Sequence, residues 1–144
     1  GHTYIGHPTA CAAGRVVVEK LTGQAPYGPS LTERCRVMGE RLQTALTNAF
    51  GQHPHIGDIR GRGLFRGLEI VEDQETKQPF DPARAVHKAC KAVSFAAGLI
   101  CYPMGGTIDG QRGDHILLAP PFILENQHID EIVEKLSQTF DCVF

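Results

Sequence analysis

The sequence lacks several features that would assign a protein class at once. It has no initiator methionine, since it begins with Gly1, and we therefore expect a piece of a longer protein. It has no signal peptide. None of its apolar stretches approaches the length of about 18 residues that a membrane-spanning helix requires. Its net charge of −2 provides none of the basic surface that nucleic-acid binding needs. These absences predict a protein that binds neither membranes nor nucleic acid.

Paired or clustered cysteines are also lacking. The five cysteines are odd in number, widely spaced and without any C-x-x-C pair. This pattern is typical of free thiols in a reducing compartment, so we expect a cytoplasmic protein. No nearby cysteine or carboxylate completes a metal-ligand pattern around His53 and His55, and a solvated loop explains these two residues better. We predict no metal site.

What the sequence does contain is a succession of helix and strand patterns. Its 144 residues suit one domain with a real core. Helices are predicted by apolar residues at three- and four-residue spacing and by their capping signals. They run from Pro8 to about Leu21, from the capping box at 30–33 to Phe50, from Asp81 to Gly98, and from Asn126 through Phe140.

Strands are predicted where apolar residues follow a period of two. They are 56–60 and 64–71, paired around a Gly-Arg-Gly turn, then 99–102 and 115–119. Hairpin connections join the first pair and can join the last pair, which favours antiparallel pairing. We therefore predict an α+β fold, a small and largely antiparallel sheet covered by helices. The Ala-rich first helix could belong to another layer that this chain does not contain.

Two glycine-containing segments lead to different predictions. The segment 61–67 has the spacing G-x-G-x-x-x-G between strands, one residue too long for a dinucleotide loop, and indicates a tight turn. The loop from Met104 to Gly113 contains four glycines, and a loop of this length within a compact domain is more often functional than a shorter one. Arg112 lies on this loop, where it could meet a carboxylate.

The opening residues 1–8, GHTYIGHP, predict a turn before the first helix. A hydroxyl and free backbone N–H groups at a helix N-terminus can bind an anion. A plain helix start, with His7 before Pro8 at the first helical position, explains the same residues. The residues by themselves favour the plain helix start.

The same opening segment resembles the Gly-His/Phe-Thr-Tyr-Ser-Gly-His-Pro motif of the class III aminotransferases, the ω-transaminase-like enzymes that use pyridoxal phosphate. Further segments resemble that family, in the family's order. They are 56–64 (IGDIRGRGL), 67–69 (GLE), 98–100 (GLI), 118–123 (LAPPFI) and 129–132 (IDEI). The resemblance spans essentially the whole chain, and the motifs taken together are highly specific.

The resemblance implies the end of the large domain (1–24) and the C-terminal small domain (25–144) of the type I pyridoxal-phosphate fold, in a homodimer with shared active sites. In that family a threonine at the position of Thr3 donates to the cofactor phosphate of the neighbouring subunit. In many ω-transaminases an arginine two residues beyond the Gly-Leu-Ile strand pairs with the substrate carboxylate. This chain has Tyr102 at that position, and Arg112 could replace the arginine.

The resemblance also identifies what this chain does not supply. In the family, the lysine that forms the Schiff base with the cofactor and the aspartate that pairs with the pyridine nitrogen lie upstream. No segment here matches them. The five lysines fall on polar helix faces or in a loop and are interpreted as surface residues. We therefore predict no catalytic residue in this chain, and we expect it to be inactive by itself.

Three functions are open at this point. The first is part of an aminotransferase that moves an amino group between an amine or amino acid and a keto acid or aldehyde. The second is an aminomutase or a decarboxylating relative on the same scaffold, which the departure at Tyr102 leaves open. The third is a non-catalytic dimerisation module. A coding sequence with about 250–300 residues before Gly1 would separate the enzymes from the module.

Overall fold

A computed structural model describes residues 2–144. Gly1, the first residue of the predicted segment 1–24 and of the opening motif, lies outside the described residues. The helices are α1 (Pro8–Thr22), α2 (Leu31–Phe50), α3 (Val86–Ala96) and α4 (Asn126–Val143). The strands are β1 (Ile56–Arg62), β2 (Phe65–Ile70), β3 (Tyr102–Gly105) and β4 (Asp114–Leu118). A short 3-10 turn, Pro82–Arg84, precedes α3.

The four strands form one antiparallel sheet in the order β1-β2-β4-β3. Successive side chains of a strand point to opposite faces of a sheet. On one face Ile56, Leu68 and Ile116 are buried in the core that α2, α3 and α4 complete. The other face is open and carries longer polar and aromatic side chains. The predicted α+β fold with a largely antiparallel sheet is thereby confirmed.

The core is built from the apolar stripes of the two long helices. Leu42 and Leu46, four residues apart on α2, are fully buried, as is Leu136 of α4. Phe50 and Phe140 meet edge to face, with ring centroids 5.0 Å apart, an arrangement that aromatic pairs prefer. Residues four apart lie on the same face of a helix. The sequence therefore predicted these apolar stripes, and in the structure they are buried in the core.

The third helix begins later than predicted. Asp81 accepts from the Ala83 amide (2.8 Å) and so caps the short 3-10 turn rather than a long helix. Ala85 follows with a φ of 47°, a left-handed conformation that interrupts the helix, and α3 then begins at Val86. The predicted continuous helix from Asp81 to Gly98 is therefore wrong at its start.

The third strand and the last cap are also displaced from their predicted positions. Residues 99–101 lead from α3 to the sheet, and Leu99 and Cys101 pack against the core without pairing in a ladder. Strand β3 instead pairs with β4 from Tyr102 to Gly105. The predicted loop from Met104 to Gly113 is therefore shorter in the structure and comprises residues 106–113. At α4 the cap is Glu125 rather than the predicted Asn126.

The first helix differs from the others because none of its residues is buried. Its C-terminal end is fixed to α2 by the hydroxyls of Ser30 and Thr32, which donate to the Leu21 carbonyl at 2.8 and 3.1 Å. Most of the rest of α1 is exposed, including Val17 and Val18. Its assignment to another layer, and the division of the chain at residue 24, stay predictions.

Acid is expected to destabilise this fold through two partly buried histidines. Burial lowers the pKa of His53, with a further contribution from neighbouring His55. Burial and the nearby Arg60 lower the pKa of His115. The unfolded chain therefore binds more protons than the folded chain once the pH falls below about 6.5. The stability present above that pH is lost as the pH decreases.

This pH dependence can be measured on the chain and on a His53→Asn variant. The asparagine oxygen replaces Nδ1 of His53 as the acceptor for the His55 amide, a bond of 3.1 Å, but it does not titrate. The melting temperature of the wild type should fall between about pH 7.5 and pH 5.5, and that of the variant should fall less. Equal slopes in the two proteins would remove His53 from this explanation.

Candidate active-site surface

One end of the open sheet face carries an apolar groove of about 1000 Å³. It lies where β2, β3 and α4 begin and where β4 ends. Its lining is mostly apolar and includes Phe65, Ile100, Tyr102, Leu117, Ile123 and Ile132. Ile100 and Ile123 are 85% and 70% exposed despite their size. A large exposed apolar concavity indicates a binding or interaction surface.

The segment after β4 forms one wall of the groove. Pro120 and Pro121 restrict the backbone to extended conformations, and the Leu124 amide then donates to the Pro121 carbonyl (2.9 Å). Glu125 and His128 fix the start of α4 together, since the His128 amide donates to the Glu125 carbonyl (3.1 Å) and His128 Nδ1 accepts from the Glu125 amide (3.1 Å). This helix cap fixes the polar rim of the groove.

Tyr102, a predicted substrate-binding residue, is the first residue of β3 and lines the groove. It pairs with Leu117 of β4, and the next residue, Pro103, is buried on the other face. The Tyr102 side chain is therefore on the open face, where the residue is 58% exposed. A phenol at this position can donate or accept a hydrogen bond but supplies no positive charge at neutral pH.

Arg112, the other predicted substrate-binding residue, is not among the described residues that line the groove. Its Nε donates to Asp109 Oδ2 (2.8 Å) and its backbone amide to Asp109 Oδ1 (2.7 Å). These bonds, with one from the Gln111 amide, lower the pKa of Asp109 to about 2. The structure thus places Tyr102 in the groove and Arg112 in an exposed ion pair on the loop.

Thr3, the predicted cofactor-binding residue, lies in a turn before α1. The Ile5 amide donates to the His2 carbonyl (3.1 Å) and closes this turn. His7 caps the helix, because its Nδ1 accepts from the Ala10 amide (3.3 Å). The helix N-terminus is thus satisfied in part by His7, as a plain helix start requires, while Thr3 is exposed.

Within residues 2–144, the five lysines are not part of the groove lining, although Lys88 and Lys91 line a neighbouring hollow beside Ile100. Lys77 and Lys135 donate to backbone carbonyls at 2.6 and 3.1 Å, and the other three are exposed. The side chains that line the groove therefore include no amine that could attach covalently to a ligand there.

Two further features are missing from the part of the chain that the structure describes. No three of its histidine, cysteine, aspartate and glutamate side chains come together as metal ligands. None of its helices is both long and apolar enough to cross a membrane. The candidate site therefore consists of the groove and the exposed turn before α1.

The sequence interpretation missed a buried pair at the base of the 106–113 loop. Asp114 Oδ1 lies 2.5 Å from His87 Nδ1, and the Asp114 side chain is 7% exposed. The alternation of residues along β4 could have indicated this pair, because Asp114 lies on the same face of the strand as the buried Ile116 and Leu118. A carboxylate on the inward face of a strand needs a partner, and His87 is that partner.

Comparison with known proteins gives consistent matches. The family model described as Aminotransferase class-III matches residues 1–140. The chain is 47% identical over 137 residues to an uncharacterised aminotransferase of Schizosaccharomyces pombe, covering 95% of this chain and 29% of the relative. It is 36% identical over 138 residues to taurine–pyruvate aminotransferase of Bilophila wadsworthia, covering 94% of this chain and 27% of the relative.

Solved structures match over the same length. An ω-aminotransferase from Paracoccus denitrificans has a TM-score of 0.81 and 34% identity, over 96% of this chain and 28% of that chain. The ω-transferase from Vibrio fluvialis JS17 has a TM-score of 0.82 and 33% identity, over 100% of this chain and 31% of that chain. The chain spans less than a third of the length of the proteins that it matches.

Proposed function

Because this chain belongs to the class III aminotransferase family, we propose that it forms part of a pyridoxal-phosphate-dependent aminotransferase. The enzyme would move an amino group between an amine or amino acid and a keto acid or aldehyde. The observation that carries the proposal is the family match along residues 1–140, and the open apolar groove with Tyr102 supports it. The alternative of an aminomutase or a decarboxylating relative would give different products from the same assay.

The residues present fit one part of the cofactor, its phosphate. Thr3 is exposed in the turn before α1, and a hydroxyl that donates to a phosphate makes a strong, charge-assisted hydrogen bond. When bound, pyridoxal phosphate supplies the electron sink for amino transfer. The lysine that attaches it would come from a part of the protein outside residues 2–144, since no lysine lines the groove.

The groove would bind and orient the substrate. Its apolar lining, which includes Phe65 and Leu117, would exclude water from a bound substrate. The Tyr102 phenol would be a neutral hydrogen-bonding group where many ω-transaminases have a cation. We further propose that the enzyme is a cytoplasmic homodimer in which Thr3 binds the cofactor of the neighbouring subunit. The absence of any buried residue in α1 supports a partner for that helix.

Arg112→Ala in the longer protein should have a small and selective effect. If Arg112 binds the carboxylate of the substrate, its removal should raise KM for keto-acid acceptors by about two- to fivefold. The effect is small because an ion pair between an exposed guanidinium and the substrate carboxylate contributes little binding free energy. KM for aldehyde acceptors should stay unchanged. Comparison of the two KM values with those of the wild type checks this, and equal changes would show that Arg112 binds no carboxylate.

The experiment for the proposed function is an amino-transfer assay of the longer protein loaded with pyridoxal phosphate. Pyruvate is the first acceptor to test, because one relative is named a taurine–pyruvate aminotransferase. Formation of alanine together with the keto or aldehyde form of the donor would support the proposal. Loss of carbon dioxide or internal migration of the amino group, without alanine, would favour the alternative activities.

A further inference from the structure

A polar hollow of about 400 Å³ lies between the side of α2 and the start of α4. We call it the arginine hollow, and its lining residues are Arg34, Met38, Arg41, Glu125, Asn126 and Gln127. Met38 is buried, and the other lining residues are polar or charged. Neither arginine is among the residues that line the apolar groove. The arginine hollow therefore offers a ligand a different chemistry from that of the groove.

Both arginines of the hollow reach from α2 to the start of α4. Arg34 and Arg41 are seven residues apart, close to two helical turns, and therefore lie on one face of α2. Arg34 Nη2 donates to the Leu124 carbonyl (2.7 Å), and Arg41 Nη1 donates to Asn126 Oδ1 (2.7 Å). Because the two acceptors belong to residues only two positions apart, both guanidinium groups are held at the same junction of α2 with α4.

Neither of these two arginines is paired with a carboxylate. Five other arginines have an aspartate or glutamate oxygen within 4 Å, but within residues 2–144 Arg34 and Arg41 have none. The Glu125 carboxylate lines the same hollow and accepts from the Gln127 side-chain amide (3.4 Å). Each guanidinium has further N–H donors besides the one already used. The hollow therefore has two cations against one carboxylate, and donors with which to bind an anion.

The start of α4 makes the arginine hollow still more favourable to an anion. Asn126 and Gln127 are the first two residues of this helix, and the positive end of the helix dipole lies beside them. Guanidinium groups bind phosphate oxygens through paired N–H donors. Two such groups match a phosphate monoester, which has three free oxygens and close to two negative charges at neutral pH. The ligand chemistry that fits best is therefore a phosphate group.

We propose that the arginine hollow binds the phosphate group of a small soluble molecule, with Arg34 and Arg41 as the binding residues. Thr3, which we assign to the cofactor phosphate, is not among the lining residues. The phosphate bound in the hollow would therefore be a second one, additional to that of pyridoxal phosphate. The proposal requires no particular reaction, so it applies equally to an aminotransferase, an aminomutase or a decarboxylating relative.

The test is a calorimetric titration with inorganic phosphate of the longer protein, already saturated with pyridoxal phosphate, at constant ionic strength. We expect one saturable site per chain. Arg34→Gln and Arg41→Gln should each raise the dissociation constant at least about threefold, and the double variant at least about tenfold, because each removes one cation. The glutamine amide still donates to the Leu124 carbonyl or to Asn126 Oδ1, so the contact between α2 and α4 is kept.

Two further variants serve as controls. Arg36→Gln removes a cation from the same helix, but Arg36 pairs with two glutamates of α2 and is not a lining residue, so the dissociation constant should not change. Glu125→Gln removes the opposing charge and should lower the dissociation constant about two- to threefold. Because Arg41 and Glu125 are exposed, their variants provide the test even if Arg34→Gln does not fold.

Three results would overturn the proposal. The first is the absence of saturable binding of inorganic phosphate, and the second is an equal loss of affinity in Arg36→Gln. The third is binding of vesicles that contain phosphatidic acid without binding of inorganic phosphate, because the hollow would then recognise a lipid surface. The titration does not depend on amino transfer, so an inactive wild type contradicts the proposed function and leaves the phosphate site to be decided by the titration.

Discussion

Replacement of Gly39 by alanine is expected to lower the free energy of unfolding by about 2–3 kcal/mol. Gly39 is a buried residue in the middle of α2, and a Cβ there would overlap the backbone of Gly63 in the turn between β1 and β2. Arg66 ties this turn to the helix, donating to the carbonyls of Gly39 (2.9 Å) and Gly61 (2.8 Å). Because the obstacle is backbone, the whole turn must move.

The matched control is Gly14→Ala, which places the same methyl group in helix α1. Apart from its chain neighbours and the backbone of its own helix, no heavy atom among the described residues lies within 4 Å of a Cβ at Gly14. Helix propensity then raises the stability by about 0.5–1 kcal/mol. Urea unfolding of the two variants should give changes of opposite sign. A stabilised Gly39→Ala protein would show that α2 and the turn are not in contact.

Replacement of Thr3 by alanine in the longer protein should weaken pyridoxal-phosphate binding about tenfold or more. A hydrogen bond from a neutral hydroxyl to a phosphate contributes about 1.5–3 kcal/mol, and 1.4 kcal/mol corresponds to about a factor of ten. The dissociation constant can be measured by fluorescence or by dialysis of the purified protein. Thr3→Ser, which keeps the hydroxyl, should bind the cofactor nearly as well as the wild type.

Thr9→Ala is the control for this experiment. Thr9 is exposed and lies on the first turn of α1, close in sequence to Thr3, so its loss tests whether any hydroxyl in this region matters. The cofactor affinity of Thr9→Ala should equal that of the wild type. An unchanged dissociation constant for Thr3→Ala would contradict the assignment of Thr3 to the phosphate.

The sequence was sufficient for the elements whose signals are local. The capping box at Ser30 and the stripe through Leu42 and Leu46 predicted α2, and the period-two pattern predicted the β1–β2 hairpin. The start of α3 was not predictable in this way, because its cap, Asp114, lies on a distant strand. The start of β3 was missed because Leu99 and Cys101 are apolar for packing against the core and not for strand pairing.

The site was only partly readable for the same reason. The sequence placed Tyr102 at the end of the predicted strand 99–102, whereas the structure places it at the start of β3, where it lines the groove. Arg112 is an exception, because it pairs with Asp109 only three residues earlier, through a turn inside the loop that the glycine content did not predict. The Asp114–His87 contact joins residues 27 positions apart, so it depends on the sheet being assembled. The roles of Thr3, Tyr102 and Arg112 stay predictions.

We propose that the longer protein is an aminotransferase and that the lysine attaching its cofactor lies outside this chain. The most direct measurement is the intact mass of this chain and of the longer protein after incubation with pyridoxal phosphate and reduction with borohydride. We expect one stoichiometric adduct on the longer protein, at a lysine outside this chain, and none on the chain by itself. A stoichiometric adduct on a single lysine within this chain would contradict the account.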